Sequence, residues 1–352
     1  MEIGISRGGL FVTVPFFVGC YGDENRDTIV SYSFDPQTET ITPRFLHKGL
    51  ANASYLCRKG NVLYSVSEGD PSAVAVFSIE EHGLTERQRV SFAEGGACHL
   101  MFCESASRLF VSCYGTGCDV IFAVNEDGTL IETPSVNRHI ECNPSHPRQR
   151  VPHAHCCAMT TNPYRMVSVD LGGDVVTVNN MMPSGTATIL RECSRLTLPK
   201  GSGPRHIVFS QMELAYLLTE LSNEIYKVDF HAGSGSLWIK DVAPTLPDGF
   251  SGKNTASAIK ISPDERHLAV SNRGDDSVMI YDIGSDGSLQ NGVCNKAGGK
   301  CPRDLAFSPD GKYVFVCCQA SDLLTVHRFD EERNTLSPVA SASLPSPACV
   351  IF

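Results

Sequence analysis

Tryptophan is nearly missing from this chain: Trp238 stands alone among 352 residues, and no Trp-Asp dipeptide occurs. No apolar stretch is long enough to cross a bilayer. There is no Gly-Lys-Ser/Thr phosphate loop and no His-Glu-x-x-His zinc helix, which sets aside two common nucleotide and metal chemistries. An excess of basic charge is also absent. The formal net charge is −10, so the surface as a whole repels nucleic acid and anionic membrane, and neither is an expected partner. A local basic cluster remains free to hold a small anion.

Cysteine, by contrast, is plentiful. The count of fifteen is odd, Cys156-Cys157 and Cys317-Cys318 are adjacent, and many others sit inside apolar segments. Such thiols behave as small buried hydrophobes, so the expected compartment is a reducing one, most simply the cytoplasm. At the N-terminus Arg7 precedes Leu10 to Val18, faintly like a leader peptide, but Pro15 interrupts the run and no convincing cleavage site follows. Phe17-Val18-Gly19-Cys20-Tyr21 matches Phe110-Val111-Ser112-Cys113-Tyr114, so a strand is expected there.

The dominant pattern is repetition. A unit of apolar strand, polar turn, strand, turn, strand and a closing Leu or Ile returns seven times, at Ile41, Leu84, Leu130, Ile189, Leu237, Leu289 and Leu336. The spacing averages about 49 residues, the signature of propeller blades of four short strands. The clearest pair of units opens on Ser262-Pro263-Asp264 and Ser308-Pro309-Asp310. The expected fold is all-β: a seven-bladed β-propeller, one domain over residues 1–352, with four antiparallel strands per blade. Inner strands are expected at Ser54, His99, His155, His206, Ala258 and Asp304, and the seventh at Ala348 to Phe352. That tail would close the ring beside Phe16 to Val18, removing two free edges. Two longer connections, Ser135 to Pro152 and Ala243 to Thr255, are either lids over the channel mouth or plain surface loops.

Within a blade the first strand runs antiparallel to the second, so the start of one meets the end of the next. This places Arg205 and His206 near Glu220, His155 near Asp170, and His99 near Tyr114. It likewise sets Asn254 and Thr255 near Arg273, and Arg303 near Gln319, with Glu68 at the matching place in the second blade. Arg offers a planar fork for carboxylate or phosphate, and His beside a carboxylate can move protons. Each residue also has a plain structural reading. Arg205–Glu220 can be a cross-strand ion pair, Asp170 can hold the Gly172-Gly173 turn, and His99 and His155 can be satisfied structural histidines. Their convergence on one funnel favours function. His153, His155, Cys156 and Cys157 suggest metal ligands on paper, but alternate strand residues point apart, so no metal or other cofactor is expected.

Several stretches resemble the lactonase family of seven-bladed propellers, which includes 6-phosphogluconolactonase and carboxymuconate lactonizing enzymes. They are Arg148-Gln149 with Pro152-His153-Ala154-His155, Asp170-Leu171-Gly172-Gly173-Asp174, Gly201-Ser202-Gly203-Pro204-Arg205-His206, Glu220-Leu221-Ser222, Ser271-Asn272-Arg273-Gly274 and Pro302-Arg303-Asp304. The resemblance spans nearly the whole chain. It implies a hydrolase of carbohydrate metabolism acting on a small anionic lactone or a related carboxylate, with His155, Arg205, Glu220 and Arg273 as catalytic candidates. Glu68, His99, Tyr114, His153, Asp170, His206, Asn254, Arg303 and Gln319 are then candidates for substrate binding. One departure stands out: Ala258 occupies a position that is usually acidic in the family. Three readings follow, namely a sugar lactonase, a carboxymuconate cyclase, and a non-catalytic propeller that binds a ligand or protein.

Overall fold

The computed structural model describes residues 2–6 and 9–352, with side chains from Thr13 onward. Arg7, which carried the leader-like reading, lies outside the described residues. Among the described residues there are seven antiparallel sheets, and a single short 3₁₀ turn at Gln319–Ser321. Leu10 to Val18 falls inside a strand, Gly9–Cys20, as the internal match predicts.

Six blades are built from consecutive strands. The first is not: its inner strand, Pro347–Ile351, comes from the other end of the chain and pairs Phe17 with Ile351 and Val18 with Val350. A fifth strand, Glu2–Ser6, pairs with the beginning of Gly9–Cys20.

The apolar side chains form seven clusters, one at each junction between neighbouring blades. Phe16, Val18 and Phe34 of blade 1 pack with Phe315 and Val326 of blade 7. Tyr64 and Val76 of blade 2 pack with Val111 and Phe122 of blade 3. Strand alternation accounts for this, since each blade sends one set of side chains to the blade on either side. The sequence therefore reads as short, nearly continuous apolar runs such as Tyr313–Cys318, all six residues of which are buried.

Two boundaries differ from expectation. Ser135–Arg138 is the outer strand of blade 3, paired with Cys118–Ala123, so the long connection starts only at His139. Ser236–Pro244 similarly absorbs Ala243 into the outer strand of blade 5. Outer strands are half exposed and lack an apolar run, which hides them in the sequence.

A third difference matters more. Six of the seven inner strands carry a β-bulge at the same place: Cys98, His155, Arg205, Ser257-Ala258, Arg303 and Ala348 are the extra residues. Simple antiparallel pairing fails by one or two residues. Thr219, not Glu220, faces Pro204; Asp170 faces Ala154, Ser112 faces His99, and Cys318 faces Pro302. Only Thr255 opposite Arg273 holds as expected. A bulge turns its extra side chain out of the alternating pattern, which re-aims it.

Deleting residues 347–352 should remove the ring closure. The lost ladder and the burial of Cys349 and Val350 are together worth on the order of 5 kcal/mol. Thermal melting and size-exclusion chromatography should show a much lower midpoint and association through the freed edge.

Candidate functional site

The most heavily charged point in the interior is Glu220, which follows the strand Leu214–Thr219 and whose N–H donates to the Gly203 carbonyl. Its carboxylate receives three guanidiniums. Arg205 Nε lies 3.1 Å and Arg273 Nη2 2.9 Å from Oε2, while Arg148 Nη2 lies 2.9 Å from Oε1. Arg205 can reach because it is the bulged residue of its strand. Its Nη1 also donates to the Ser257 carbonyl and to His206 Nε2, at 3.2 Å in the latter case. Since a guanidinium only donates, His206 Nε2 must be the unprotonated nitrogen.

Arg205 is 4% exposed and Glu220 3%, so their charges depend on each other. Burial pushes the Glu220 carboxyl up, but Arg273, Arg205, His155 and Arg148 more than reverse this and hold it well below the usual carboxylate range. Burial and the neighbouring Arg273 lower Arg205 to about 10, against the opposing pull of Glu220. The carboxylate is thus a fixed anion with both oxygens engaged.

Beside it runs a row of rings from four blades. Tyr55 lies 4.4 Å from His99, His99 5.3 Å from His206, and His206 5.3 Å from His155. His155 meets Tyr114 edge-on at 5.6 Å, and Tyr114 stacks on His153 at 4.1 Å. The Nδ1–H of His153 donates to the Tyr114 carbonyl at 2.7 Å, which fixes that ring. Burial, then the positive charges nearby, hold His155 and His206 well below the ordinary imidazole value and bring His99 down to about 3. All three are neutral at pH 7. The Cys98 thiol, also on a bulge, sits 3.8 Å from His155 Nδ1.

A second polar group joins blades 1, 2 and 7. Glu68 Oε2 accepts from the hydroxyls of Tyr21 (2.7 Å) and Ser54 (2.6 Å). Arg303 donates to the Tyr21 hydroxyl at 2.6 Å and lies over its ring.

Other candidates are placed elsewhere. Asp170 caps the His153, Gly172 and Gly173 N–H groups through Oδ1, as its turn-holding reading anticipates, and its Oδ2 lies 3.4 Å from His139 Nδ1. Asn254 is engaged with Asn223 and Asn272, and Gln319 with Ser346. Ala258 is buried in the apolar cluster between blades 6 and 7, two residues before Lys260, whose Nζ is 3.6 Å from Asp304. The sequence reading did not single out Tyr21, Ser54, Tyr55 or the Lys260–Asp304 pair. It quoted Arg148 only as part of a motif. Nor did it find His139, held between Asp119 (2.9 Å) and Asp170. Burial opposes protonation of His139, yet the two carboxylates raise it to about 10.

A model of the lactonase seven-bladed β-propeller family matches residues 15–352, and the chain belongs to that family. It is 29% identical over 345 residues to 6-phosphogluconolactonase of Bacillus subtilis, covering 96% of this chain and 97% of that one. Among solved structures, periplasmic gluconolactonase of Pseudomonas aeruginosa superposes with a TM-score of 0.91 at 27% identity, covering 97% of this chain and 99% of the other. A protein from Lactobacillus plantarum gives 0.90 at 27% identity with the same coverage.

Two outcomes follow from the buried charges. Glu220→Gln should cost about 3–5 kcal/mol, because it leaves Arg205 buried without its counter-charge; chemical denaturation measures this. Stability should also peak near pH 6.5–7. Below the unfolded value of 6.5, the unfolded chain protonates His99, His155 and His206 while the folded one does not. Stability therefore falls with pH at up to roughly 4 kcal/mol per pH unit from these three groups. His139 acts oppositely: its contribution is full below 6.5 and is lost as pH rises toward about 10. Melting curves between pH 5 and 9.5 should show the maximum.

Proposed function

We propose that the protein hydrolyses a small anionic sugar lactone of the 6-phosphogluconolactone type. The observation that carries this reading is the meeting of Arg205 and Arg273 on one oxygen of buried Glu220, with the buried His155 within electrostatic reach of both Arg205 and Glu220. Family membership supports the reaction class. Free thiols at all fifteen cysteines support a reducing compartment, which we take to be the cytoplasm, although one relative carries a periplasmic name.

Lactone opening needs a water made nucleophilic, a positive site for the carbonyl oxygen as it becomes an oxyanion, and a proton for the departing ring oxygen. Glu220 is poorly suited to the first task, because two cations share Oε2 and a third holds Oε1. Its part is to keep Arg205 and Arg273 together. Either guanidinium then stabilises the oxyanion, and the preorganised pair gains strength from burial. His155 is already neutral, so it takes the proton from water and returns it to the ring oxygen. The remaining cations, Arg303 among them, hold the substrate's anionic group, and Tyr114 and the histidine row shape the space around the sugar.

Purified protein should open 6-phosphogluconolactone above the spontaneous rate. Arg205→Ala or Arg273→Ala should lower kcat about 10²–10³-fold, the usual effect of losing one oxyanion donor. An unchanged rate would overturn the assignment. Because His155 is depressed below its ordinary value, kcat/KM should stay level as pH falls from 7.5 through 6.5. A limb centred at 6.5 would exclude His155 as the base. Conversion of a carboxymuconate with no action on sugar lactones would place the protein among the cyclases instead.

A further inference from the structure

The segment from His139 to His153 is pinned at three points and sends one half-exposed side chain back to the buried carboxylate. At its start, His139 is clamped between Asp119 and Asp170. Near its end, the His153 N–H donates to Asp170 Oδ1 at 2.7 Å and its ring donates to Tyr114. Between them Gln149 is fully buried, and its Nε2 donates to the Leu171 carbonyl at 2.8 Å and Asp174 Oδ1 at 2.6 Å. The segment also presses on the Asp170–Gly173 turn so closely that a Cβ on Gly172 would lie 2.1 Å from the Val151 carbonyl. Its backbone is therefore held.

Arg148, next to the buried Gln149, projects from this strap over Glu220. It differs from the other two guanidiniums there in one respect. Its side chain is 47% exposed, against 5% for Arg205 and 14% for Arg273. Its Nη2 divides its donation between Glu220 Oε1 (2.9 Å) and the Tyr114 hydroxyl (3.1 Å). If Arg148 swings away, Glu220 keeps Arg205 and Arg273, so no buried charge is stranded. If either of the others leaves, a buried cation loses its partner.

Charge gives the ligand class. Arg148, Arg205, Arg273 and Arg303 face Glu220 and Glu68, the three buried histidines are neutral, and Lys260 cancels Asp304. Around Glu220 alone, three guanidiniums answer one carboxylate, a local excess of two positive charges in a protein of net charge −10. We infer that Arg148 is the specificity residue of the site, exchanging Glu220 Oε1 for the doubly charged phosphate of the substrate. A planar guanidinium suits that exchange, because it can present two parallel N–H donors to phosphate oxygens. This inference rests on the lactonase reading and adds to it the residue that selects a phosphorylated lactone over a neutral one.

The test compares 6-phosphogluconolactone with unphosphorylated gluconolactone on the full chain and on Arg148→Ala and Arg148→Lys. For Arg148→Ala the ratio of kcat/KM, phosphorylated over neutral, should fall tenfold or more, mainly through KM, as expected for losing a charge-assisted hydrogen bond. Arg148→Lys should restore part of the ratio, since it keeps the charge but not the fork. A ratio within twofold of wild type overturns the assignment. If wild type opens neither lactone, the lactonase reading itself fails. Calorimetric titration with 6-phosphogluconate then decides the anion site separately: weaker binding by Arg148→Ala supports it, while equal binding, or none by wild type, sinks it.

Discussion

Ring closure is the constraint on which everything else rests. Seven sheets, each apolar toward both neighbours, have no stable solution while one junction stays open. The strand Pro347–Ile351 supplies the missing edge of blade 1, and the cluster of Phe16, Val18, Phe315 and Val326 seals blade 1 to blade 7. Only then do the inner strands face a common axis, and residues as far apart as Tyr21 and Arg303 come within 2.6 Å.

Closure alone would leave inner-strand side chains in strict alternation. The bulges break that pattern at matching levels in six blades and bring His155, Arg205 and Arg303 into one neighbourhood. The electrostatic consequence is severe: burial and then Arg205 depress the protonation of both His155 and His206, and Arg205 is itself weakened by burial and by Arg273. Glu220 makes the arrangement tolerable. A carboxylate that answers three guanidiniums has little remaining basicity, so in the proposed hydrolysis proton transfer falls to the neutral imidazoles instead. The three guanidiniums around this one carboxylate give an acidic protein a local positive patch.

The family relationship and the geometry bear on different questions. Membership in the lactonase propellers settles the architecture over residues 15–352. Identities of 27–29% leave the chemistry to be argued from the side chains present. Here Ala258 is instructive. Its place in the apolar cluster between blades 6 and 7 shows a position given over to packing, while Asp304 on the neighbouring inner strand is paired with Lys260 from the same strand as Ala258.

Much was legible from the chain itself. Repeat spacing and apolar runs determined the propeller, the number of blades and closure by the C-terminal strand, because strand periodicity and turn chemistry are local properties. The grouping of Arg205, Glu220 and Arg273 also followed from blade position. Register was decided elsewhere. A bulge adds one residue without changing composition, so nothing near Arg205 or His155 announced that each would leave the ladder, or that Asp170 would turn toward His139 and the Gly172-Gly173 backbone. Arg148 was hidden for a similar reason: its partner lies 72 positions away, on another blade, across a connection whose course is fixed by three anchors, His139, Gln149 and His153. Local pattern tells which segments become strands, but which side chains finally meet depends on contacts between blades that form only when the ring is complete.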